Sequence, residues 1–183
     1  QAMSTEKTAT KEKTAFIVCD MWDYHHSVNA VQRLREFAPR LNEVLAEARR
    51  RGATIIHAPS DCMPFYEEHP ARQRALAIPL DDHHSPKGIT EWCHRIPEEE
   101  QATYPIDQSD GGEDDDLEAH ARWADYLKSI ERNPGTPWKR QTEMLTIDDE
   151  RDFIAAEGDV VWGVLEDKEI KQEAKDVQQK KKD

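Results

Sequence analysis

The sequence is short of the residues that build large interiors. Leucine, isoleucine, valine and phenylalanine make up roughly 17% of its 183 residues, below the ~20% level at which a highly charged chain tends towards disorder. They concentrate at 14–58 and 143–165, so the expectation is a folded part, a polar excursion over 81–142 and frayed ends. Excess positive charge is also lacking. A formal net charge of -13 argues against nucleic acid or an anionic membrane as partner, because both require basic surface. No apolar run approaches the ~18 residues of a spanning helix, and none resembles the hydrophobic segment of a signal peptide. Only three cysteines occur, Cys19, Cys62 and Cys93. They show no paired spacing and no CxxC, so a reduced, cytoplasmic chain is expected.

What is present is a βαβ pattern. Residues 15–21 (AFIVCDM) show no alternation, which suits a strand covered on both faces in a parallel sheet. A helix should follow, with Asn29 and Gln32 as a capping pair. Val31, Leu34, Ala38, Leu41, Leu45 and Ala48 trace its apolar stripe. Pro39 is expected to bend or split this helix, and the arginines at 49–51 with Gly52 to end it. Residues 53–58 (ATIIHA) read as a second strand, reached by a right-handed crossover.

Further on, a short helix is expected near 69–77 and another over 116–132, with Leu117, Ala121, Ala124 and Leu127 on one face. Residues 143–147 (EMLTI) suit a third strand, 148–158 a turn with a short helix, and 159–170 a further helix. Residues 1–13 read as a disordered leader and 171–183 as a charged tail.

Open parallel sheets bind ligands beyond the carboxyl ends of their strands. Asp20 falls at one such end and Asp61 just past the next. Trp22 borders the same place and is read as a substrate contact or a packing residue. Cys19 precedes Asp20 within the strand, so it should point to the opposite face and behave as a small buried apolar residue. Cys62 lacks a basic neighbour to favour its thiolate. His57, His69 and the pairs His25–His26 and His83–His84 lack the convergence zinc needs, and are read as solvated loop histidines. The acidic stretch 107–116 lacks the alternating ligands of a calcium loop and reads as a turn. No cofactor is expected.

The segments TAFIVCDMWDYH (14–25) and LNEVLAEARRRGATIIHAPSD (41–61), followed by WKRQTEMLTIDDERDFI (138–154), resemble the isochorismatase-like cysteine hydrolases, the group that includes nicotinamidases. The resemblance covers roughly 14–62 and 137–170. It implies a three-layer α/β/α, Rossmann-like sandwich on a parallel sheet, with a long insertion at about 63–137. It also implies hydrolysis of a small amide or related carbon–nitrogen bond by an Asp–Lys–Cys triad. Asp20 would be the base and Lys139 the lysine, with Arg140 adjacent. Where the family's cysteine turn would follow the last helix, this sequence has the charged tail, and none of its three cysteines takes that place. In the nicotinamidase branch an Asp-x-His helps hold a divalent ion; here Asp61, Cys62 and Met63 stand instead.

Two readings follow. One is a hydrolase whose nucleophile is not in view. The other is a truncated or non-catalytic relative acting as an oligomerising or interaction module, for which the Lys-rich tail with Ile170, Ala174 and Val177 is a further, weaker contact surface. In the family's strand order the first strand is interior. Without its other neighbour it should be an exposed apolar edge, paired with a second copy or another polypeptide.

Overall fold

A computed structural model describes residues 13–80, 85–86, 89–90 and 116–170. Ala15–Cys19 forms β1, Val28–Arg50 helix α1 and Thr54–Ala58 strand β2. A 3-10 turn spans Met63–Tyr66, and Pro70–Leu76 forms α2. Leu117–Ser129 is α3, Phe153–Ile154 is β3 and Gly158–Asp167 is α4. The strands make one parallel sheet in the order β1-β2-β3, with Ile17 beside Ile56 and Ile56 beside Phe153. The expected α/β class with a parallel sheet is therefore present. The expectations for His83–His84, Cys93, the acidic turn and the tail lie outside the described residues.

Helices cover both faces of the sheet. On one face the α1 stripe, through Ala38, Leu45 and Ala48, packs on Val18, Ile55 and Leu145. On the other, Ala75 of α2 and Val160 and Val164 of α4 pack on Ile56 and Phe153. This second layer lies over β2 and β3. β1 is consequently not covered on both faces: Ile17 is 44% exposed, and Cys19 is exposed rather than buried. The continuous apolar run in β1 was legible, but its burial depended on neighbours that are absent among the described residues.

Four local expectations are corrected. Ser27, not Asn29, caps α1, its Oγ accepting the Ala30 N–H at 3.4 Å. Of the bend or split expected at Pro39, the split does not occur, since α1 runs unbroken over Val28–Arg50. The proline forfeits only its bond to the Arg35 carbonyl on an exposed face, where water can replace it. The third strand is Phe153–Ile154, not 143–147. In that earlier segment Leu145 enters the core, while Thr146 exchanges bonds with Asn42 and gives its carbonyl to Arg49. Finally, Leu117 is 85% exposed, so only Leu127 of the α3 face is buried. Gly52 does take the left-handed position after α1, with φ +86°.

Candidate functional site

The β1 strand delivers Asp20 to its carboxyl end, where the backbone turns left-handed at φ +53°. Few residues other than glycine adopt that region, and aspartate is among those that do. The Asp20 N–H still donates to Ala58 O at 3.1 Å, and its Oδ1 accepts the Ser60 N–H at 2.9 Å. The carboxylate is thus fixed against the loop that follows β2. Asp61, in that loop, is also left-handed, at φ +60°.

Beside Asp20 lies a cleft of about 330 Å³, within the size range of small-molecule sites. Trp22 and His25 form one wall; Val31, Arg33, Leu34 and Phe37 of α1 form the other. Of the two roles weighed for Trp22, packing is visible, and the ring also borders the cleft. It stacks on Trp138 at 4.2 Å between ring centroids while its Nε1 donates to Ser60 O at 3.0 Å.

The aspartate that organises this region is Asp23, which motif reasoning passed over. Its Oδ1 accepts the backbone N–H groups of Tyr24 and Lys139, each at 3.1 Å, and its Oδ2 accepts Arg132 Nη2 at 2.8 Å. The backbone of 21–23 also pairs with 140–142: Asp23 N–H donates to Arg140 O, and Thr142 N–H to Met21 O. These bonds hold Trp138 against Trp22. Arg132 further covers the Tyr24 ring, and Trp123 of α3 donates to His25 O at 2.9 Å. The polar segment after α3 therefore closes over the end of β1. The available signal was an acid between two aromatics: a carboxylate buried there needs several donors.

The triad implied by resemblance is not assembled. Lys139 is exposed, and among the described residues no ion pair joins it to Asp20. The cleft is lined by Asp20 and Trp22 but by neither Lys139 nor Asp61. The Cys62 thiol is buried, and burial together with the carboxylates of Asp23, Asp61 and Asp20 pushes it up to about 12. At neutral pH such a group stays a thiol. The Cys19 thiol is raised by desolvation and by Asp20 next to it. Neither is an activated nucleophile.

His57 is not a solvated loop histidine. It is fully buried in β2, with Nδ1 2.8 Å from Gln141 Oε1 and Nε2 3.0 Å from Asp152 Oδ2. Asp152 also accepts from Arg49 Nε and Nη2 and from the Asp148 N–H. Burial alone would raise the Asp152 carboxyl; the hydrogen bonds from His57, Arg49 and Asp148, with the Arg49 charge, outweigh it and hold it at about 2. This network sits beneath the sheet and ties α1, β2 and the approach to β3 together. A polar residue in the middle of a buried strand was its visible signal.

Among the described residues no three histidine, cysteine or acidic side chains converge as a metal site, and no helix is long and apolar enough to cross a membrane. No family model matches the sequence, no curated protein matches it, and no solved structure matches the fold.

Proposed function

We propose that the chain is an isochorismatase-like α/β unit that keeps a small-molecule site at the end of β1, and that it does not hydrolyse its ligand with the residues described here. The reading rests on one observation: Asp20 is held in a left-handed conformation at the mouth of a cleft walled by Trp22 and α1, with Ser60 fixing its carboxylate. The ligand in this reading is a small amide or a related carbon–nitrogen compound. Asp20 is its polar anchor and Trp22 its flat contact surface. The sequence resemblance supplies the substrate class; the mostly apolar lining with one fixed carboxylate supports it.

Hydrolysis is the second reading, favoured by the pre-organisation of Asp20 as a base. It requires a nucleophile other than Cys62, whose burial and acidic neighbours disfavour the thiolate. Lys139 would be the charge partner only if it swung towards Asp20. The module reading includes the sheet: β1 presents an apolar outer edge for a further strand.

A panel of small primary amides and carbamoyl compounds, scored both by ligand-detected NMR and by ammonia release, tests this. Binding that is lost in Asp20→Asn or weakened in Trp22→Ala, without turnover, is the expected result. Absence of binding would overturn the site. Ammonia release abolished by Asp20→Asn would overturn the non-catalytic reading in favour of the hydrolase.

A further inference from the structure

The partner of the β1 edge can be named from backbone geometry. Thr54 N–H donates to Thr14 O, and Asp20 N–H to Ala58 O. In a strand the N–H and C=O of one residue point the same way and alternate sides along the chain. The even-numbered residues of this strand therefore face β2, whereas Ala15, Ile17 and Cys19 turn their backbone groups to the outer edge. Among the described residues no strand meets them. The weak 4.0 Å approach of Cys19 Sγ to Ile17 O lies on this outer side.

We infer that β1 pairs antiparallel with β1 of a second copy, about a two-fold axis at Ile17; this rests on the module part of the reading above. Three features select that occupant and that register. First, an antiparallel ladder needs outward-facing residues opposite one another. Pairing Ile17 with Ile17 and Ala15 with Cys19 meets this over the whole strand and gives about six backbone hydrogen bonds. A shift of one residue meets it nowhere.

Second, the strand is uncharged and exposes apolar side chains on both faces: Phe16, 37% exposed, on the α1 side and Ile17 on the other. Phe37 and Val44 of α1 are likewise exposed beside the same edge, lining clefts at its two ends. Each face would thus meet its own kind across the axis, as an isologous contact requires. Third, the strand is bounded by Lys13 before it and Asp20 after it. Antiparallel pairing sets Thr14 opposite Asp20, and Lys13 opposite Met21, so the positively charged entry of each strand lies beside the negatively charged exit of the other. Parallel pairing would put like charges together.

Size-exclusion chromatography with light scattering at tens of micromolar should show a dimer. Ile17→Lys, at an exposed position, should give a monomer with an unchanged far-ultraviolet circular dichroism spectrum. Lys13→Glu should weaken dimerisation roughly five- to tenfold through two symmetric repulsive contacts. In a Cys19→Ser, Cys93→Ser background, Ile17→Cys should oxidise to a covalent dimer, since directly opposed residues of a hydrogen-bonded pair lie about 5.5 Å apart between Cα atoms, inside the disulfide range. Ala15→Cys, offset by four residues across the axis, should not. A monomeric wild type, a dimer indifferent to Ile17→Lys, or cross-linking of both cysteine variants alike would overturn the self-pairing. None of these outcomes removes the Asp20 ligand site, which is read independently by ligand-detected NMR.

Discussion

At the scale of single residues, the chain spends its charge in two different ways. Surface pairs such as Arg40–Glu43 are exposed and contribute little. Arg49 and Asp152 are almost wholly buried, 2.5 Å apart, and joined to His57. Removing one member of such a group strands the others, so Asp152→Asn should lower unfolding free energy by about 3 kcal/mol, read from urea midpoints. The pH dependence has a definite sign. The folded-state pKa of Asp152 is depressed to about 2 against an unfolded value of about 3.9. Its contribution of about 3 kcal/mol is therefore fully present above about pH 5 and lost as pH falls through 4 towards 2. The Asp152→Asn variant should show a flatter stability curve over that interval; an unchanged curve would assign the acid sensitivity to other carboxylates.

At the scale of elements, close approach sets the limits. A Cβ on Gly158, at the start of α4, would lie 2.3 Å from the Ile89 carbonyl oxygen, a backbone atom that cannot swing aside. Gly158→Ala should therefore cost about 1–3 kcal/mol, measured by thermal or urea unfolding. A neutral result would show that the 89–90 segment does not pack there. The same scale shows what the sequence made legible. β1, α1, β2 and α4 were readable because their signals are local: an apolar run, a 3.6-residue stripe, a glycine after a basic turn. β3 was not, because two residues, Phe153 and Ile154, have no period to detect, and the more strand-like Leu145 segment is held by Asn42 and Arg49 instead. The placement of Asp20 and Trp22 beside a cleft was legible from their position at a strand end. Asp23 and the His57–Asp152–Arg49 network were not, since their partners lie some 80 to 116 residues away along the chain.

At the scale of the whole molecule, the layers are uneven. α1 covers one face of the sheet, while α2 and α4 cover β2 and β3 on the other and leave Ile17 and Cys19 bare. The strand that carries Asp20 thus also forms an edge of the sheet among the described residues. Long-range repulsion between two chains of net charge -13 opposes association, and the uncharged β1 edge is where two copies can approach with least of it. The proposed ligand site and the proposed contact edge therefore share one strand, and in that reading occupancy of either should be felt at the other.

Residue-resolved amide hydrogen exchange in β1, followed over protein concentration, tests this account most directly. In dilute solution the amides of Phe16, Val18 and Asp20 should be protected and those of Ala15, Ile17 and Cys19 should exchange rapidly. Raising the concentration should bring the second set under protection. Protection of all six amides in the dilute monomer would contradict the account, because β1 would then be an interior strand paired on both sides within its own chain.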